Sequence, residues 1–232
     1  MEIFWRGFVE SVRLLSAGDP EVLEITLRTL QVSGLATLIS VLIGVPFGVL
    51  LALTKFPGRR FVISLVNFGM GLPPVVVGLV VWLTFTRYGP LGFLDLLYTP
   101  AAMIFAQAII ASPIVTGFTV AAIQSLNPKI HLQILALGAS RGQLLWLLVR
   151  EARLGLLAAV IAGFGGVISE VGASMMVGGN IAGSTRVLTT AIVLAVGQGK
   201  QELAFALSLI LFVLAYGITA FLTTAQQRSS HA

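Results

Sequence analysis

LQILALGASRGQLLWLLVREARLG, residues 132–155, lies between two long apolar segments and holds much of the chain's positive charge. Leu135 and Leu137 precede a turn at Gly138, Ala139 and Ser140; Leu144, Leu145, Leu147 and Leu148 follow it, with Arg141, Arg150 and Arg153 as cationic points. The pattern predicts a short helix, a glycine turn and a second short helix leading straight into a membrane span. Such a segment belongs at a membrane surface. It reads either as an ordinary interfacial hairpin between spans or as an apolar knob offered to something outside, and the rest of the chain has to decide.

The chain has 232 residues, of which 57% are hydrophobic and 10% charged, and its mean hydropathy is +1.00. That is too apolar and too sparsely charged for a soluble domain, and it implies an all-α polytopic membrane protein forming a single membrane domain over residues 1–232. The 14 Lys and Arg outnumber the 9 Asp and Glu. These cations sit in short clusters between apolar runs, with no stripe of Arg and aromatics suited to nucleic acid, so they orient the chain in the membrane. There is no cysteine, which excludes disulfides and thiolate metal sites, and the two histidines, His131 and His231, exclude a histidine-rich metal cluster and read as surface residues. No metal or cofactor is implied.

In chain order, residues 1–17 are too short and too amphipathic to span. Phe4, Phe8, Val12 and Leu15 recur at helical spacing between Glu2, Arg6, Glu10 and Arg13, so this stretch should lie flat with Trp5 at headgroup depth. It lacks the pattern of a secretory signal and is expected to remain unprocessed. Asp19 and Pro20 supply an N-cap and a first helical position. Five spans are predicted, roughly residues 32–54, 61–86, 101–123, 154–177 and 203–224, each long enough for a hydrocarbon core of about 30 Å. Pro46 promises a bend in the first; Gly69, Gly71, Pro73 and Pro74 interrupt the second; Ser112 and Pro113 are expected to break the third. Residues 187–196 are apolar but only half a span long, and read as a re-entrant or interfacial helix on the outer side.

Five spans put the chain ends on opposite sides. Lys55, Arg59 and Arg60 share a side with Lys129, Arg141, Arg150 and Arg153, which the positive-inside rule makes the cytoplasm. The amino end is then outside, the carboxy end cytoplasmic, and the hairpin of residues 132–155 cytoplasmic.

Glu170 is the one acidic side chain expected within the membrane, about 24 Å along the fourth span and toward the outer leaflet. It reads either as a packing ion pair, with Arg186 or Lys200, or as a gate residue whose pairing changes between two states. Residues 177–186, VGGNIAGSTR, are dense in backbone N–H groups and hydroxyls beside one cation, and read either as an oxyanion nest or as a flexible turn. There is no phosphate-loop lysine motif, no Ser, His and Asp set and no HExxH, so neither ATP binding nor intramembrane hydrolysis is expected of this chain.

The order of these parts resembles the permease subunit of a binding-protein-dependent ABC importer, in the small five-span group that includes molybdate, tungstate and methionine permeases. Ala136, Leu137, Gly138, Ala139, Ser140 and Arg141 match the core of that superfamily's cytoplasmic coupling loop, while Leu132, Gln133 and Ile134 stand where Glu-Ala-Ala is usual. Residues 168–181, ISEVGASMMVGGNI, and 185–192, TRVLTTAI, are similar to tungstate permeases in particular, as is the Glu151, Ala152, Arg153 variant. The resemblance implies a transport subunit, not an enzyme, in the cell inner membrane. It also implies a homodimer that docks two ATPase subunits inside and receives an extracytoplasmic tungstate-binding protein outside. Ser169, Glu170, Gly172, Ser174, Asn180, Thr185 and Arg186 become the candidates for the translocation pathway or gate. Molybdate or sulfate is the alternative cargo. A proton-coupled secondary transporter using Glu170 is the alternative class.

Overall fold

The computed structural model describes residues 2–228, and among these every regular element is helical. His231 and the side chains of Phe4, Leu15, His131 and Arg141 lie outside the described set. Helices α1 (Glu2–Ala17) and α2 (Pro20–Leu53) precede a broken pair, α3 (Arg59–Met70) and α4 (Pro74–Phe85). A 3₁₀ turn at Gly92–Leu94 leads to α5 (Pro100–Gln124) and two short helices, α6 (Pro128–Ala136) and α7 (Arg141–Glu151). A second broken pair, α8 (Arg153–Ile168) and α9 (Gly172–Gly178), is followed by α10 (Leu188–Gly197) and α11 (Gln201–Arg228).

Among the described residues, three helices are individually long and apolar enough to cross a membrane: α2, α5 and the Gln201–Thr224 part of α11. The two broken pairs bring the total to five if each pair counts as one span.

The breaks fall where backbone chemistry puts them, with two departures from the sequence reading. In the second span, interrupted as expected, Pro73 adopts an extended conformation and Pro74 opens α4, and the two halves meet at 99°. In the third, Pro113 does not break α5, which stays continuous from Pro100 to Gln124. On either side of the proline, hydroxyls bond back to the preceding turn: Ser112 Oγ donates to Ala108 O at 2.6 Å and Thr116 Oγ1 to Ser112 O at 2.7 Å. The fourth span, read as continuous, instead stops at Ile168 and resumes at Gly172 with a 58° bend. Asp19 caps α2 as its position suggests, accepting from Glu21 N at 3.0 Å and Val22 N at 3.1 Å.

Helix α5 is the centre of the bundle and packs against α2, α3, α4, α8 and α9. Its neighbours come close because small residues face it. A Cβ added at Gly48 of α2 would lie 2.7 Å from Thr119 Cβ, so the α2–α5 crossing leaves no room for a side chain there. Between α4 and α9, a Cβ at Gly78 would meet Ala173 Cα at 2.7 Å. The largest buried cluster forms around these contacts, with Val77, Val81, Phe85, Met103, Ala106 and Val177 inside it. Much of the outward surface is apolar, as for Phe61, Leu65 and Phe68 of α3 and Phe212, Val213 and Tyr216 of α11. That pattern is the one expected where lipid or a second chain replaces water.

The bundle has two chemically different ends. At one, the start of α2 and the segment between α9 and α10 come together through Arg186 Nη1 to Glu21 Oε1 at 3.0 Å and Arg28 Nη2 to Gly183 O at 3.0 Å. Helix α1 packs on α11 at this end, with Arg6 3.4 Å from Glu202. At the other end, the close of α11 meets the start of α8 through Gln226 Nε2 to Leu154 O at 2.7 Å. The α6–α7 hairpin sits there.

Candidate functional site

The hairpin is built by one helix stop and one helix start in immediate succession. Asn127 caps α6, accepting from Lys129 N at 2.9 Å, and Pro128 takes the first helical position. Gly138 then adopts φ +78°, the left-handed conformation that costs glycine nothing. With it Gly138 N donates to Leu135 O at 3.0 Å and Ala139 N to Ile134 O at 3.4 Å, the two bonds of a Schellman ending. Ser140 opens α7 through a capping box: Gln143 N donates to Ser140 Oγ at 3.4 Å and Ser140 N to Gln143 Oε1 at 2.8 Å.

One face of the hairpin is anchored and the other is open. Leu148 and Ala152 are buried, and Ala152 packs with Val49 and Ile123 from the ends of α2 and α5. Leu137 is 87% exposed, Leu132 66% and Trp146 61%. The guanidinium carbon of Arg150 lies 5.3 Å from the centre of the Trp146 ring, a cation–π contact at the surface. Leu137, Gly138, Ala139, Gln143, Trp146 and Leu147 line a shallow open cavity of about 470 Å³. Ala136 ends α6 and is exposed, and Arg141 opens α7. Only Ala152 separates α7 from α8, so the hairpin and the fourth span are mechanically continuous.

Glu170 lies at the break between α8 and α9 and is 6% exposed. It pairs with neither Arg186 nor Lys200, the partners the sequence suggested: Arg186 is taken by Glu21, and Lys200 stands exposed before α11. Its carboxylate instead accepts from Ala173 N and Ser174 N, each at 3.1 Å, and from Ser174 Oγ at 3.3 Å. A charge in this position is stabilised by the free N–H groups and positive end of α9. Two neighbouring elements are tied to the same point. Gln107 Nε2 of α5 donates to Ser174 Oγ at 2.9 Å, and Thr189 Oγ1 of α10 donates to Glu170 O at 3.0 Å.

The remaining pathway candidates are spread over this end of the molecule. Ser169 is exposed and donates to Gly165 O at 2.8 Å. Gly172 packs against α4, where an added Cβ would lie 2.6 Å from Val75 Cγ2. Ser174 and Thr185 are fully enclosed within the chain. Residues 178–186 form a hydrogen-bonded turn rather than an open nest: Thr185 Oγ1 donates to Gly178 O and accepts from Ile181 N at 2.9 Å, while the N–H groups of Ser184, Thr185 and Arg186 all point to Ile181 O. Asn180 has φ +51° and donates to Thr190 O at 3.3 Å, leaving its Oδ1 buried without a partner.

Two residues belong here that the sequence reading passed over. Gln107 is an amide in the run AAMIFAQAII, where a polar group inside a span has to find a protein partner. Arg28 follows Glu24 by four residues, the spacing of a helical ion pair, and their side chains do pair beside Gly183.

This architecture is that of an ABC importer permease, and comparison with known proteins places it in a family. Residues 44–230 match the profile of binding-protein-dependent transport system inner membrane components, and the chain belongs to that family. It is a membrane component of a transport system and not an enzyme. It is 38% identical to the tungstate uptake system permease protein TupB of Peptoclostridium acidaminophilum, over 98% of this chain and 100% of that one. A probable anion ABC transporter permease protein of Haloferax volcanii is 41% identical over 86% of this chain and 88% of its own length. Among solved structures, an inward-facing MetNI methionine ABC transporter aligns with TM-score 0.75 at 21% identity, covering 90% of this chain and 96% of that one, which shows a shared fold.

Proposed function

We propose that this chain is the permease subunit of an ATP-driven importer that carries tungstate into the cytoplasm by alternating access. Two copies would flank the pathway, with an ATPase docked on each α6–α7 hairpin and a tungstate-binding protein engaging the opposite end. The observation that carries the cargo is the full-length similarity to a tungstate uptake permease. Support for the docking role comes from the hairpin. Its outer face exposes Leu132, Leu137 and Trp146 while its inner face is buried, and α7 runs into α8 across a single residue. Leu132 occupies the position where the family's coupling loop usually has an acid, so this dock relies on shape and apolar contact more than on an ion pair.

The gate reading of Glu170 rests on its place. A displacement of the hairpin along α8 arrives at the α8–α9 break that Glu170 caps, and Gln107 and Thr189 tie that break to α5 and α10. Ser169, Gly172, Ser174, Asn180, Thr185 and Arg186 remain proposed as pathway or gate residues around it. Only Ser169 among the hydroxyl residues presents its surface without a rearrangement.

Reconstitution of the chain with its ATPase and binding protein in proteoliposomes tests this reading. Tungstate should accumulate only with ATP and all three components, and molybdate or sulfate should be carried far less well. Uptake driven by a proton gradient in the absence of the ATPase would replace it with the secondary-transporter reading, and preferential uptake of molybdate or sulfate would reassign the cargo.

A further inference from the structure

At the end of the bundle away from the hairpin, a crevice of about 370 Å³ opens between α1, α2, α10 and α11. Its walls are apolar, formed by Val22, Ile25, Ala191, Leu194, Leu203 and Leu207. Its rim is charged, with Asp19, Glu21, Arg186 and Lys200. Asp19 and Lys200 each stand one residue before a span, α2 and α11, which is where a span leaves the hydrocarbon for the headgroup layer.

The rim groups are not equally available. Asp19 is spent on the N-terminus of α2, and Glu21 on Arg186. The acids of the adjoining surface are also engaged, Glu10 with Arg13 and Glu202 with Arg6. Lys200 is exposed, and no acceptor for its ammonium group is found among the described residues. Arg186 gives one nitrogen to Glu21 but keeps a buried Nε–H with no acceptor. Every acid at the rim is committed while the exposed Lys200 ammonium is not, so the unmet demand at the mouth is for an anionic oxygen. The apolar walls below that point suit a hydrocarbon chain and would give a bare ion nothing to bind.

We infer that this crevice is a phospholipid site, with an acyl chain between α2, α10 and α11 and the phosphodiester at Lys200. A lipid seated there fills the seam that joins the Arg186–Glu21 contact to α11. It thereby acts as a wedge holding the outer end of the bundle together.

Native mass spectrometry of the purified chain, in mild detergent with phosphatidylglycerol supplied, tests the assignment. The wild-type chain should retain one phospholipid through a detergent wash that strips the rest. Lys200→Glu, a surface change, should lower retention about tenfold, the effect of losing one charge-assisted bond. Leu194→Trp fills the crevice without altering charge and should lower it as well. Equal retention by wild type and Lys200→Glu overturns the proposal, and that comparison stands even if Leu194→Trp fails to fold. Displacement of the lipid by inorganic phosphate or tungstate alone also overturns it, because the crevice would then be an ion site.

Discussion

The carboxylate of Glu170 is enclosed in a membrane-spanning bundle yet has no cation beside it; backbone N–H groups and a serine hydroxyl hold it instead. This distinguishes two substitutions. Glu170→Ala leaves the N–H groups of Ala173 and Ser174 without an acceptor, and should cost about 1–3 kcal/mol in thermal unfolding of the detergent-solubilised chain. Glu170→Gln keeps one acceptor oxygen and should lose less, while altering substrate-stimulated ATP hydrolysis by the assembled transporter. If hydrolysis and uptake by the Gln variant match wild type, the residue is a helix cap and nothing more. The ion pair suggested by sequence was misdirected for a physical reason. Proximity along the chain shows that Arg186 lies near Glu170, but not that Glu21, 165 residues away, reaches Arg186. Gln107 was hidden in the same way, since a single amide in an apolar run becomes informative only once Ser174 of another helix is opposite it.

Among the elements, the hairpin was the most legible, because its turn is local chemistry. A glycine that must be left-handed and a serine three residues before a glutamine define a stop and a start without help from the rest of the fold. The long apolar helices were legible from hydropathy for a similar reason. The bends were less so. Pro113 lies inside a helix that stays continuous, and the 58° turn at residues 169–171 has no proline to announce it. At Gly138 an added Cβ meets nothing within 4 Å, so a substitution there strains only the backbone. Gly138→Asn, a residue that tolerates this conformation, should keep the hairpin and its ATPase. Gly138→Asp adds a charge to the proposed apolar dock and should abolish ATPase association while the chain still purifies folded. Co-purification of the ATPase at wild-type level with the Asp variant would remove the hairpin from the coupling role.

For the whole molecule, the distribution of charge over the two ends is the feature with the widest consequence. Lys55, Arg59, Arg60, Lys129, Arg150 and Arg153 collect at the hairpin end, against one acid, Glu151. At the opposite end Arg6, Arg13, Arg28 and Arg186 are each matched by an acid within 4 Å. Paired cations contribute little net charge, so the hairpin end carries the surplus, and the positive-inside rule assigns that end to the cytoplasm. The absence of cysteine from the sequence makes this orientation directly measurable. Tyr88, 97% exposed in the segment between α4 and α5, marks one end, and Gly142, where a Cβ meets nothing within 4 Å, marks the other. With the permease produced without its ATPase, Tyr88→Cys should react with a membrane-impermeant maleimide in intact cells. Gly142→Cys should react only after the membrane is opened. The reverse pattern would place the hairpin outside, where no cytoplasmic ATPase could reach it, and would overturn the coupling role together with the direction of transport.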